Sequence, residues 1–136
     1  MKISDNELVS LANKARESSY CPYSGFSVGA ALLTKSGRVY TGANIENASF
    51  TPTVCAERVA LFTAIHAGER DFEAIAIVGG KCGDVAKSTF TPCGVCRQVL
   101  SEFSGKNLRV IIASDTETLT LTLGDLLPYG FGKDLM

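Results

Sequence analysis

The chain has no run of lysine or arginine, no long apolar stretch, no internal repeat and only one histidine. Lys and Arg total 13 against 14 Asp and Glu, a net charge of −1. No overall positive field exists to hold nucleic acid. No apolar run approaches the roughly 18–20 residues that a membrane span needs. The opening Met1-Lys2-Ile3-Ser4-Asp5-Asn6-Glu7 has no apolar core of the secretory kind. The expected compartment is therefore the cytoplasm, with no membrane and no nucleic acid as partner. What remains is 136 residues, 46% hydrophobic and 20% charged. That length and composition predict one globular domain over residues 1–136, able to bury roughly two-thirds of its unfolded surface.

Five cysteines, at 21, 55, 82, 93 and 96, need an account. Reducing compartments disfavour structural disulfides, and an odd number cannot pair off. Metal, catalysis or inert core are the remaining roles.

Punctuation along the chain gives the elements. Ser4 and Glu7 form a capping box, and Leu8, Leu11, Ala12 and Ala15 follow at helical spacing, so the pattern predicts a helix over about 5–18. A Pro- and Gly-bearing loop follows. Phe26–Thr34 and Val39–Ile45 read as strands joined by a turn, an antiparallel hairpin. Val54–Ala67 is apolar on nearly every side, with Gly68 just past it as a C-cap. Such a helix is buried on more than one face, under other elements or against another subunit. Phe72–Val78 reads as a strand and Gly79–Phe90 as a loop. Thr91-Pro92 reads as an N-cap followed by Pro at the first helical position. A helix to about Ser104, strands at Leu108–Ala113 and Thr118–Leu121, and a helical turn at Gly124–Leu127 complete the order. The β-α-β-α-β middle predicts right-handed crossovers and parallel pairing. The expected fold class is α/β: a single mixed five-stranded sheet with helices on both faces.

Two segments carry the chemistry, Thr53-Val54-Cys55-Ala56-Glu57-Arg58 and Thr91-Pro92-Cys93-Gly94-Val95-Cys96-Arg97-Gln98. Each follows a loop and opens a helix. Free N–H groups and partial positive charge at a helix start favour thiolate, the metal-binding form. Cys93 and Cys96 share one helical face, and Cys55 would be the third ligand. Three protein ligands leave a position for water, as catalytic zinc sites do. His66 lies eleven residues beyond Cys55, roughly 16 Å along the same helix, too far to complete the set. Cys21 and Cys82 have no partner at ligand spacing and read as free thiols. Glu57 can approach a metal held by Cys55 only if Cys55 sits in an irregular first turn. There its carboxylate would carry protons. Three thiolates and a divalent cation leave one net negative charge, so a cation is wanted behind the sulfurs. Arg58 is assigned that role. Taken singly these features are ordinary: a redox or zinc-ribbon pair, a buried thiol, a solvated glutamate. Their combination at two successive helix starts is not.

On those two segments, the chain resembles the zinc-dependent cytidine and deoxycytidylate deaminases. More narrowly it is similar to the small, homotetrameric, three-cysteine branch. The resemblance extends from Tyr20-Cys21-Pro22-Tyr23-Ser24, through Phe26-Ser27-Val28-Gly29-Ala30 and Asn44-Ile45-Glu46-Asn47, to Leu127-Pro128-Tyr129-Gly130-Phe131. The dimeric branch has His where this chain has Cys55. The resemblance implies a three-layer α/β/α fold and one Zn2+ per subunit on Cys55, Cys93 and Cys96. It implies Glu57 as proton shuttle. Cytidine and deoxycytidine would lose ammonia to become uridine and deoxyuridine, a step of pyrimidine salvage. It places Asn44 and Glu46 on the ribose 3′-hydroxyl, with Phe26 and Ala56 at the base. Phe131 would come from a neighbouring subunit of a homotetramer. Phe50 stands where many relatives carry Tyr. Three rivals stay open at this level. An aminonucleoside deaminase such as one for blasticidin S tends to lack the Glu of Asn44-Ile45-Glu46. A polynucleotide deaminase is disfavoured by the neutral charge. A non-enzymatic zinc or redox module would leave Cys55-Ala56-Glu57 idle.

Overall fold

The structure, a computed structural model, describes residues 3–136. Helix α1 (Asp5–Ala15) opens on the expected capping box: Glu7 N donates to Ser4 Oγ at 3.2 Å, and Ser4 N to Glu7 Oε1 at 3.0 Å. A 3-10 turn (Arg16–Ser18) carries it to the expected end. Strands β1 (Phe26–Thr34) and β2 (Val39–Ala43) follow, then α2 (Ala56–His66), β3 (Phe72–Lys81), α3 (Gly94–Phe103), β4 (Arg109–Ala113), β5 (Thr118–Thr122) and the short α4 (Leu123–Leu126). Among the described residues, no helix is long and apolar enough to cross a membrane.

The five strands form one mixed sheet in the order β2-β1-β3-β4-β5. The hairpin β1–β2 is antiparallel, as expected. Parallel pairing is narrower than the alternating pattern predicts. Only β3–β4 is parallel, while β3 pairs with β1 antiparallel. Strand β2 runs the same way as β3, but β1 lies between them. The crossover through α2 therefore spans a strand instead of joining neighbours.

Alternation along each strand divides the core. Ala30, Leu32, Ile75, Ile77, Val110 and Ile112 face α2 and α3, meeting Ala60, Leu61, Ala64 and Leu100. Ala31, Leu33, Ala74, Ala76, Val78 and Ile111 face α1, meeting Leu8 and Ala12. The period-2 pattern thus builds the three layers. Small residues on the α1 face let that helix come close. At Gly29 an added Cβ would lie 1.9 Å from the Ala12 carbonyl oxygen, and at Gly42 2.7 Å from that of Ala56.

Several boundaries differ from expectation for identifiable reasons. β3 runs on to Lys81 through two glycines because β1 supplies partners, Phe26 opposite Lys81 and Ser27 opposite Gly80. β2 stops at Ala43, and Asn44–Ile45 leave the ladder for isolated bridges to Tyr20 and Val54. α2 starts at Ala56 because Val54 is held in the bridge to Ile45. The N-cap of α3 is Cys93, not Thr91. Arg97 takes Thr91 and Pro92 out of the helix, its Nε donating to the Pro92 oxygen at 2.7 Å and its Nη2 to Thr91 Oγ1 at 2.8 Å.

Gly29→Ala is expected to lower stability by about 3 kcal/mol, because the α1–β1 approach leaves no room for a methyl. Gly105→Ala, with open space around it, should change it by less than about 0.5 kcal/mol. Urea-unfolding midpoints at unchanged slope measure both. An unshifted midpoint for Gly29→Ala would show that the helix does not sit where described.

Candidate metal and active site

Strand direction decides what meets. β2 and β3 run the same way because each is antiparallel to β1. The helices that follow them, α2 and α3, therefore start at the same end of the sheet. β1 begins at that end too, since Phe26 pairs with the last residue of β3. Cys55, Cys93, Phe26 and Asn44 are gathered by that geometry from positions far apart in the chain.

Cys55 and Cys93 are the N-cap residues of their helices, both in extended backbone. Cys96 lies on the first turn of α3. The three sulfurs fall within 4.8 Å of one another, with Cys55 and Cys93 at 3.7 Å. A four-coordinate zinc with Zn–S bonds of about 2.3 Å spaces its sulfurs about 3.8 Å apart. The donor set fits zinc in spacing and in chemistry. No other cluster of that kind occurs among the described residues.

Electrostatics make the same point. The hydrogen bond with Cys96 pulls the Cys55 thiol down to about 5, with further help from Arg58 and Cys93 against the cost of burial. Cys96 is pushed up, first by that same hydrogen bond, then by burial and by the Glu57 carboxylate. One sulfur can carry charge alone; more than one calls for a cation. Arg58 Nη2 donates to Cys55 Sγ at 3.4 Å. Its Nε is buried with no acceptor.

Glu57 needed Cys55 outside the regular helix, and Cys55 is outside it. Glu57 is buried, only 5% exposed. Burial, above all, pushes its pKa up to about 7, with the nearby Cys55 adding to the rise. A carboxyl balanced between its two forms near neutral pH is suited to moving protons. Ala56, between them, is fully buried.

Two backbone bridges attach the remaining residues to this centre. Ile45 and Val54 exchange hydrogen bonds at 3.0 and 2.9 Å, directly before Cys55, and Tyr20 N donates to the Asn44 oxygen at 2.9 Å. Asn44 is buried, and its amide is half committed. Its Oδ1 accepts from Val28 N at 2.9 Å, and its Nδ2 donates to the Phe26 oxygen at 2.8 Å. One hydrogen of the amide and one lone pair remain. Glu46 accepts from the Tyr23 and Ser24 amides, both at 3.0 Å, and from Ser24 Oγ. The Ser24 hydroxyl and amide lower its pKa most, with the Tyr23 amide adding to them.

Phe26 is partly exposed and stacks edge-on against Phe90, centroids 5.2 Å apart. Phe131 is not at the centre of its own chain. It is 59% exposed, in a cleft with Leu127 and Ser101 that includes none of the three cysteines. The amide of Gln98 holds its carbonyl at 2.8 Å. Phe50 is 79% exposed beside Glu46 and Tyr23.

Sequence reasoning missed Phe90, Ser24 and Arg97 as supports. Arg97 lay inside the quoted Cys93-x-x-Cys96-Arg97 segment; Phe90 and Ser24 had no local sign. The structure brings Cys21 and Cys82 side by side, with Cα atoms 7.8 Å apart, wider than a disulfide spans. Their segments are 61 positions apart, and only the β1–β3 ladder makes them neighbours.

Comparison with known proteins agrees with this geometry. The family model described as the cytidine and deoxycytidylate deaminase zinc-binding region matches residues 2–113. A cytidine deaminase of Halalkalibacterium halodurans is 46% identical over 130 residues, 95% of each chain. One of Sporosarcina psychrophila is 44% identical over 131 residues, 94% of this chain and 91% of that one. The crystal structure of cytidine deaminase from Burkholderia pseudomallei superposes with a TM-score of 0.87 at 44% identity, covering 95% of this chain and all of that one.

Arg58→Gln is expected to weaken zinc binding by about 10–100-fold, the usual effect of losing a partner behind a metal ligand. Competition against a chromogenic chelator measures it. Unchanged affinity would remove Arg58 from the site.

Proposed function

The chain belongs to the cytidine and deoxycytidylate deaminase family, and on that premise we propose that it hydrolyses cytidine and deoxycytidine to uridine and deoxyuridine, releasing ammonia. One observation carries the reading: a cluster of three cysteine sulfurs with a buried, proton-shifting glutamate at the start of one of its two helices. A zinc or redox module has no use for that glutamate.

Cys55, Cys93 and Cys96 would hold the zinc, which when bound supplies a Lewis acid able to bring a water's pKa to about 7. Glu57 would take one proton from the attacking water and deliver it to N3 of the cytosine ring. After the hydroxyl adds at C4, Glu57 would take the second proton from that C4 hydroxyl and pass it to the 4-amino group, which leaves as ammonia as the C4 carbonyl forms. Burial of the carboxyl lets it hold the proton within each transfer. Arg58 steadies the charge on Cys55. The free hydrogen of the Asn44 amide and the Glu46 carboxylate would take the ribose 3′-hydroxyl, and Phe26 and Ala56 would flank the base.

Phe131 of a neighbouring copy would cover the pyrimidine. Support comes from its exposure in a cleft apart from its own three cysteines, and from Phe62, an apolar side chain 48% exposed on α2. We propose a homotetramer in the cytoplasm, each subunit a single domain over residues 1–136.

Glu57→Gln is expected to keep a full complement of zinc and lose about 10²–10⁴ in turnover. Metal analysis together with the absorbance loss on cytidine and on deoxycytidine checks it. Substantial activity in zinc-loaded Glu57→Gln would refute the shuttle. Turnover of blasticidin S in preference to both nucleosides would overturn the substrate.

Phe131→Ala is expected to raise KM by about tenfold or more, on the scale of lost base–aromatic stacking. It should leave the zinc content unchanged. Native KM in this variant would place the base contact elsewhere.

A further inference from the structure

Helix α3 does two things with neighbouring side chains. Cys96, on its first turn, is buried among the three sulfurs. Arg97 and Gln98, the next two residues, reach instead for the last segment of the chain. Arg97 Nη1 donates to the Leu126 oxygen at 2.7 Å, and Gln98 Nε2 donates to the Phe131 oxygen at 2.8 Å. Side chains two apart on a helix do not face one another. The turn that presents a sulfur inward therefore presents the exposed Gln98 amide outward.

We propose that Gln98 is a positioning residue for the site of a neighbouring copy: it holds the backbone of Phe131 in its own chain, and that Phe131 covers the pyrimidine next door. The proposal rests on the reading of Phe131 as a base contact made across subunits.

The tail has few other holds. Tyr129 is fully exposed and sits in left-handed backbone, with φ at 56°. Gly130 turns tightly against Leu127, where an added Cβ would lie 2.9 Å from Leu127 Cδ2. Leu135 N and Met136 N donate only within the tail, to the Gly132 and Lys133 oxygens. Among the described residues, the Gln98 amide makes the one hydrogen bond that ties residues 129–136 to the rest of the chain. Phe131 itself is 59% exposed, so packing in its own chain leaves most of the ring uncovered. Arg97 fixes where the segment departs, and Gln98 fixes where its aromatic stands. Without that amide the segment has to be ordered at each binding event, and ordering costs affinity.

A loss at Gln98 has two routes to the chemistry. One runs back along α3 to Cys96 and damages the chain's own centre. The other runs through Phe131 and damages the neighbour's. The two routes differ in which subunit suffers, and that difference can be read out.

The test uses the zinc-loaded oligomer. Gln98→Met keeps the length of the side chain and removes the donor. Its KM for cytidine is expected to rise about fivefold, the scale of losing one hydrogen bond, with kcat and zinc content unchanged. The double variant Gln98→Met/Phe131→Ala should have the KM of Phe131→Ala alone, because one residue acts through the other. Mixed oligomers are then assembled with an excess of Glu57→Gln chains, whose own turnover is lost. In them the Gln98→Met centres should regain the native KM, since their neighbours now supply a well-held Phe131. The proposal is overturned if Gln98→Met keeps the native KM, or if the double variant has a higher KM than Phe131→Ala. It is also overturned if mixing rescues Phe131→Ala but leaves Gln98→Met with its raised KM. If mixing rescues neither variant, the reading of a site shared between subunits is what fails, and the proposal falls with it.

Discussion

Thiolates repel one another, and a protein interior is a poor host for each of them. Bringing three sulfurs within 4.8 Å is the demand around which this chain is built. It is met by placing two helix starts, with their partial positive charge, at one end of a sheet and a guanidinium beside one of the sulfurs. The sheet order follows from the same demand. With β1 between β2 and β3, and antiparallel to both, α2 and α3 begin on the same side. A helix connection between adjacent parallel strands would serve the sheet equally well, but would not by itself bring the start of β1 to that end.

Groups near the centre serve both the fold and the chemistry. Asn44 ties β2 to β1 through Val28 and Phe26 and still has a free hydrogen and lone pair. Glu46 organises the loop at Tyr23 and Ser24 while its carboxylate stays near the surface. Glu57 is costly to bury charged, and that cost is what lifts its pKa toward neutrality. Away from the centre, Arg16 is simply satisfied, with carbonyls of Ser27, Lys81 and Asp84 around it.

Much of this was legible from local pattern. The capping box at Ser4, the two-residue alternation in Phe26–Thr34, the Gly68 stop and the two cysteine-bearing helix starts are short-range features, and short-range physics decides them. What escaped reading depends on partners distant in sequence. Nothing within ten residues of Gly79 and Gly80 says that β1 will extend a strand through them. The approach of Cys21 to Cys82 has the same origin. So does the N-cap of α3. Thr91-Pro92 is a good helix start in isolation, and it lost to an arginine reaching back from the next turn. The resemblance to deaminases named the site residues sooner than spacing could, while the reason Glu57 can serve its centre was visible only in the extended backbone of Cys55.

The segment between β3 and α3 is bracketed by two arginines. Arg16 fixes its start at Lys81 and Asp84; Arg97 fixes its end at Thr91 and Pro92 and reaches the Leu126 oxygen as well. Each clamp closes on backbone carbonyls or a nearby hydroxyl, independent of the side chains in between. Between the clamps, Ala86 is buried in the core and Phe90 packs edge-on against Phe26. The exposed Lys87 and Ser88 between those two are therefore the place for an engineer to graft a new segment while the metal centre a few residues downstream keeps its geometry.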